Sequence, residues 1–364
     1  MSASLPIPSP GSGPTTLWFN TLFEQRGWTG RVKSMSKKSI GTGQIGSNIR
    51  FTFEFEEGGR GGAPKTLVGK FPSDKELSRQ TASVSSGLGH YRRETYFYQN
   101  FKELSDRIAP SALYAEYSPD SENFAIIMED MAPGVQGDQL KGSTLQHAEW
   151  VMDIAAELHA EHWGAETLES IDWLQGTEAA PETPFGPDMI AALWQGFKQR
   201  YAGEISSDAI LIGDTITGVK REWSTNYSGP KCLMHGDYRL DNMLFSAPEA
   251  KKPLAVVDWQ TVGLGCGAQD VSYFLGAGFK REDRAEHEMP LLKRWHDAIC
   301  ARGVKGYSFN DTVRDYKYFT FAGFSVAFAA PMIVERTDRG DKMFMTMIRR
   351  HVDQIMANDA LSLL

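Results

Sequence analysis

The run His235-Gly-Asp237-Tyr-Arg-Leu-Asp241-Asn242 is followed, sixteen residues after Asn242, by Val257-Asp258-Trp259. Two carboxylates and an amide at this spacing can be folded by a short hairpin into one metal-binding, phosphoryl-transfer site. Asn242 to Phe245 reads as a strand, Ser-Ala-Pro-Glu-Ala-Lys-Lys-Pro as a turn, and Leu254 to Val257 as the return strand. With the turn centred near Ala250, Asn242 and Asp258 lie equally far from it and meet at the open end of the hairpin. Asp237 sits on the loop entering it. The loop runs between apolar segments, Cys232 to Met234 and Met243 to Phe245, so its carboxylates lie near a core where unpaired charge is costly. A divalent metal or a hydrogen-bonded substrate hydroxyl offsets that cost. His235 stands beside Asp237 as a candidate catalytic residue, with bracing the loop as its favoured role. Asp241 either turns outward or shapes the loop. Asp270 follows Gly263, Gly265 and Gly267, and a mixture of helix N-capping and bracing of the loop is expected. Trp259 is expected to pack beneath the site.

A second group lies upstream. Gly41-Thr-Gly43-Gln-Ile-Gly46 matches G-x-G-x-x-G, which in a dinucleotide-binding fold opens a helix. Here Ile49, Phe51, Phe53 and Phe55 alternate with Arg50, Thr52 and Glu54, so a strand follows. That excludes the Rossmann reading and leaves either an ordinary hairpin or a glycine-rich turn whose amides approach phosphate oxygens. Lys70 closes Leu67-Val68-Gly69-Lys70-Phe71 and shares a strand face with Val68. Glu94 shares a helix with Tyr98 and Phe101 and is placed to pair with Lys70. Singly, each also suits a solvated surface charge. His159, His162 and Trp163 share a helix, where core packing is favoured over a metal site.

These groups need a scaffold. Strands are expected at 49–55, 66–71, 112–117 and 124–128 and a helix at 91–104, so a five-stranded sheet with one helix follows. Ser73 to Gly89 reads as a mobile loop. Beyond Glu129 the pattern turns helical, with helices at 145–163, 189–201, 210–223, 271–279, 284–302, 312–334 and 342–356. Met131 to Gly142 reads as a hinge. The resulting division is a loose arm at 1–16, a nucleotide-binding lobe at 17–130, a linker at 131–142 and a larger lobe at 143–364.

Composition sets mild limits. A chain of 364 residues exceeds the usual single core. Its net charge of −8 argues against nucleic acid or an anionic membrane as partner. The start is Ser-, Pro- and Gly-rich with no apolar stretch, so no signal peptide is read there. Phe321 to Val334 is too short to span a bilayer and reads as a buried helix. Three cysteines form no disulfide framework, and buried thiols in a cytoplasmic setting are expected.

Taken together, GTGQIG, Lys70, Glu94, HGDYRLDN and VVDWQ resemble the aminoglycoside phosphotransferase and choline kinase group of the protein-kinase-like superfamily. YRRETYFYQNF, IIMEDM, the GDQ at 137–139 and AELHAEHW point to its ecdysteroid-kinase-like branch, over roughly residues 35 to 355. The resemblance implies an α+β, two-lobed fold with ATP in the cleft. It implies that Gly41, Gly43 and Gly46 cover the phosphates, and that Lys70 contacts them while Glu94 orients it. Glu129 to Met131 would meet adenine through the backbone. Asp237 would be the catalytic base, and Asn242 and Asp258 would hold Mg²⁺. Gly236 replaces the Arg of protein kinases, and Trp-Gln replaces Phe-Gly after Asp258. Those departures favour a small-molecule hydroxyl acceptor over a protein. The competing readings are an aminoglycoside kinase, a pseudokinase-like nucleotide-binding module, and a metal-dependent phosphohydrolase.

Overall fold

The computed structural model describes residues 5–9, 13–41, 46–72, 89–174 and 186–364. It divides into two compact units, Met1–Ala132 and Pro133–Leu364. Gly43 and residues 73–88, read above as a phosphate-covering turn and a mobile loop, fall outside the described residues.

The first unit opens with helix α1 (Thr16–Gln25), capped by the Thr15 hydroxyl accepting from Trp18 N at 3.2 Å. Five strands follow: β1 (Val32–Ile40), β2 (Gly46–Phe55), β3 (Thr66–Pro72), β4 (Ala112–Tyr117) and β5 (Phe124–Glu129). They form an antiparallel sheet in the order β1-β2-β3-β5-β4. Phe51 and Phe53 point inward and pack edge-on against Phe19 of α1, so burial of aromatic rings holds helix to sheet.

Two elements lay outside the sequence reading. Strand β1 carries Lys33, Lys37 and Lys38 and buries little beyond Val32. It is an edge strand, held by backbone pairing to one neighbour and kept from further pairing by its lysines. Its hydrophobic alternation is therefore weak. Helix α1 begins where the loose arm was expected to end, and residues 5–9 lie against the unit: Trp18 Nε1 donates to Pro6 O and Tyr114 OH to Leu5 O. The helix expected over 91–104 is two, α2 (His90–Asn100) and α3 (Lys102–Ile108), broken at Phe101, whose ψ is 44°.

The second unit is mainly helical. Short strand β6 (Val135–Gln136) leads to α4 (Leu145–Glu161), a single turn α5 (Glu166–Glu169), α6 (Pro187–Arg200) and α7 (Ser207–Thr217). Strands β7 (Cys232–Met234), β8 (Met243–Phe245), β9 (Leu254–Val256) and β10 (Gly263–Gly265) then interrupt the helices. They pair as β6-β8-β9 and β10-β7. Helices α8 (Gly267–Gly278), α9 (Arg281–Ala301), α10 (Phe309–Tyr318), α11 (Thr320–Ala329) and α12 (Asp338–Ala357) complete it. The long helix expected over 312–334 is interrupted between Tyr318 and Thr320 and ends in a 3₁₀ turn at Pro331, where the ring cannot continue the hydrogen-bond ladder. Trp194, Phe197, Phe324, Phe328, Met347 and Ile355 anchor the apolar core.

Cys232 and Cys266 are buried free thiols and Cys300 is half-buried. Burial raises both buried thiols, Cys266 to about 12, which leaves them protonated and inert. No helix among the described residues is long and apolar enough to cross a membrane.

Candidate active site

In the first unit the sheet delivers Lys70 to Glu94. Lys70 sits on β3 opposite Asn48 of β2 and Ile126 of β5, so its Cα is flanked by strands on both sides. Helix α2 carries Glu94, and Nζ reaches its Oε2 at 2.6 Å. The two residues are only 7% and 1% exposed, so this is a buried pair and not two solvated charges. Such pairs persist when each charge satisfies the other. Gly41 and Gly46 bracket the β1–β2 hairpin, and Gly41 has φ +74°. Glu129 ends β5, its carboxylate accepting from Ser111 N at 2.8 Å. Met131 makes no backbone hydrogen bond among the described residues.

In the second unit the 235–242 loop gathers the expected side chains. Asp237 is the hub. Tyr273 OH donates to its Oδ1 at 2.9 Å, Arg239 Nε to both oxygens at 3.0 and 3.1 Å, and Asn242 Nδ2 to Oδ2 at 2.8 Å. Burial alone would raise this carboxyl; Arg239, His235, Tyr273 and Asn242 outweigh it and hold the group below its ordinary value. Burial raises Tyr273 well above the usual phenol range, with the Asp237 charge adding to it.

His235 is fully buried, and both ring nitrogens serve the backbone. Nε2 meets Val257 O at 3.0 Å, and Nδ1 accepts from Asp237 N at 3.2 Å. A ring so engaged holds the loop to the end of the hairpin. Trp259 is fully buried beneath it, with ring centroids 4.7 Å apart.

The hairpin differs from expectation by one residue. Met243 pairs with Val256 and Phe245 with Leu254, and Val257 N donates to Asn242 O at 2.9 Å. Val257, not Asp258, therefore faces Asn242. Asp258 follows with φ 68° and ψ 58°, a left-handed conformation that redirects the chain and its carboxylate. The reason for the shift is the turn, whose centre lies between Glu249 and Ala250 rather than on Ala250.

Asp270 braces the loop and caps no helix. The N-cap of α8 is Cys266. The Asp270 carboxylate instead accepts from His235 N at 2.7 Å and Gly236 N at 2.9 Å. His159 Nε2 lies 3.2 Å from it, and Trp295 Nε1 donates to His159 Nδ1 at 3.1 Å. His159 is thus part of a polar chain under the loop, not the simple packing residue the sequence suggested. Among the described residues no group of three or more His, Cys, Asp or Glu side chains forms a metal cluster.

Sequence reasoning missed Arg239, Tyr273 and Gln139. Gln139 Oε1 accepts from Leu240 N at 3.1 Å, Gln139 N donates to Asp241 Oδ1 at 3.0 Å, and Arg350 Nη1 donates to Gln139 O at 2.7 Å. The GDQ segment therefore clamps the loop from behind. Two glycines fit by close approach. A Cβ on Gly137 would lie 2.4 Å from Leu240 O. One on Gly236, where φ is +83°, would lie 2.7 Å from Thr261 O, so no arginine fits there. Gly137→Ala should lower stability by about 1–3 kcal/mol through this overpacking, read as an earlier thermal unfolding transition; an unchanged transition would show that the loop yields freely.

The fold recurs in solved structures. Choline kinase from Cryptosporidium parvum superposes with TM-score 0.54 at 12% identity, covering 90% of this chain and 92% of that one. A microcompartment-associated aminopropanol kinase gives TM-score 0.54 at 14% identity, covering 94% and 99%. Aminoglycoside 2'-phosphotransferase-IIIa in its GDP complex gives 0.51 at 13%, covering 93% and 99%. A stretch of 79 residues is 34% identical to acyl-CoA dehydrogenase family member 10 of Mus musculus, spanning 19% of this chain but only 7% of that protein. The family model described as the ecdysteroid kinase-like family matches residues 46–302 and so takes in Lys70, Glu94 and the whole 235–258 segment. This chain is a member of the ecdysteroid kinase-like family, with an α+β protein-kinase-like fold.

Proposed function

We propose that the protein transfers the γ-phosphoryl group of ATP to the hydroxyl of a small molecule. The observation that carries this reading is Asp237: an ionised carboxylate on a braced loop, with Asn242 turned toward it and Asp258 at the end of the adjoining hairpin. Asn242 commits its amide nitrogen to Asp237, which leaves its carbonyl oxygen as a donor to a cation. An amide oxygen and a carboxylate are hard oxygen ligands, and Mg²⁺ suits one or two of these completed by water and phosphate. Asn242 and Asp258 would hold it, and its chemistry there is neutralisation of charge on the transferring phosphoryl group.

The remaining work falls to the chain. Asp237 accepts a hydrogen bond from the acceptor hydroxyl and aims it at phosphorus, taking the proton late. His235 holds the loop and moves no proton. Lys70, fixed by Glu94, contacts the nucleotide phosphates under the Gly41–Gly46 turn, and the backbone at Glu129 to Met131 meets adenine. The full set of donors on Asp237 is the one observation favouring a binding module without turnover. An ATP-consumption assay over a panel of alcohols, run beside a thermal-shift titration with ATP, separates the two: nucleotide binding with no turnover on any alcohol defeats the kinase reading.

Lys70→Met should raise the KM for ATP about tenfold or more, the loss of one charge-assisted contact. It also removes the ammonium partner of buried Glu94 and should cost about 3–5 kcal/mol of stability. Adding Glu94→Gln should recover stability without recovering ATP use. If the double variant binds ATP as the wild type does, Lys70 has no part in the nucleotide site.

A further inference from the structure

Arg239 is more than a counter-ion. Its Nε donates to both oxygens of Asp237, and its Nη1 lies 3.3 Å from Asp241 Oδ2 and 3.4 Å from Met343 Sδ. Its Nη2 has no partner among the described residues, and the side chain keeps 18% of its surface exposed. A guanidinium held at Nε and Nη1 with Nη2 unengaged is positioned to offer an N–H to an anionic oxygen.

The surrounding charges agree. Asp237, Asp241 and Asp138 face Arg239 and Arg339: Arg339 lies 3.3 Å from Asp241 and 3.9 Å from Asp138. Arg350 adds a third guanidinium on the carbonyls of Gln139, Leu140 and Ala277. Arg239 and Arg339 thus stand among the carboxylates of Asp237, Asp241 and Asp138, while Arg350 is engaged by backbone carbonyls. Tyr273 spends its hydroxyl on Asp237 and lays its ring against His351, centroids 5.7 Å apart.

We propose that Arg239 is an oxyanion-binding residue beside Asp237. Its Nη2 takes an anionic oxygen, carried either by the terminal phosphate of the nucleotide or by the acceptor next to its reacting hydroxyl. The proposal rests on the kinase reading above.

The test compares wild type, Arg239→Gln and Arg239→Lys on three acceptors of matched size: a neutral alcohol, a hydroxy acid and an amino alcohol. Loss of a charge-assisted hydrogen bond corresponds to about 10- to 100-fold in KM. In Arg239→Gln a rise of that size for ATP, with every acceptor, identifies the phosphate as the source. The same rise confined to the hydroxy acid identifies the acceptor. Arg239→Lys keeps the charge and should recover part of either effect, which separates binding from simple loss of fold. Unchanged KM values with a uniform fall in kcat would overturn the proposal, leaving Arg239 as a prop for Asp237. If the wild type turns over none of the three, the kinase reading fails instead. Thermal shift with AMP-PNP and with the hydroxy acid then decides for Arg239: stabilisation lost in Arg239→Gln supports it, and stabilisation retained overturns it.

Discussion

Asp237→Asn and Asp258→Asn should each lower turnover by about 10²–10⁴-fold, the range for removing a positioned catalytic group, while leaving a cooperative fold. Asparagine is the right replacement at both positions for structural reasons. At 237 it keeps an oxygen for Tyr273 and removes the charge proposed to aim the acceptor. Arg239 then loses one ionic partner but keeps Asp241, so the expected loss of stability is modest, about 1–3 kcal/mol. At 258 the backbone has φ 68°, which asparagine tolerates and alanine does not. A fall in activity on Asp258→Ala would mix lost chemistry with strained backbone; Asp258→Asn isolates the carboxylate. Steady-state kinetics and thermal unfolding on the same preparations give the answer. Turnover close to wild type in both variants would remove the assignment of this loop as the catalytic one.

The second large effect is expected at a residue that touches no substrate. Asp270→Ala should lower stability by about 2–5 kcal/mol and turnover with it. The buried backbone N–H of His235 and the half-buried one of Gly236 would lose their acceptor at once, each at about 1–3 kcal/mol. The His159 ring, held between Asp270 and Trp295, would lose one of its anchors. Asp270→Asn retains one oxygen and should fall between alanine and wild type in both stability and turnover. That ordering distinguishes a brace from an N-cap: at an exposed cap asparagine serves as well as aspartate. Equal stability of Asp270→Asn and wild type would contradict the bracing role.

Much of this was legible in the residues. The alternating 49–55 segment predicted a strand after the glycine-rich turn, and β2 is there. The apolar runs flanking 235–242 predicted a loop close to the core, and its His235, Asn242 and Trp259 are buried. The pairing of Lys70 with Glu94 was legible as well, because a strand and a helix of recognisable periodicity each present one face. Local signals misled where a single residue decides. A turn centre displaced by half a residue moved Val257 opposite Asn242. Helix α1 repeats its buried residues at Trp18, Phe19, Leu22 and Phe23, a helical spacing that could have revealed it.

The sequence by itself marked most of the elements, the family and the residues proposed for its chemistry, because periodicity, turn chemistry and charge type act over a few neighbours. Only tertiary structure decided which groups surround Asp237. Tyr273 arrives from 36 residues away and Gln139 meets Leu240 from 101 residues away. Contacts of that span leave no mark on local pattern, since their cost and gain depend on how helices α8 and α12 pack and not on their own sequence. That packing left Asp270 only the bracing half of its expected mixture of cap and brace, and left Nη2 of Arg239 unengaged beside Asp237.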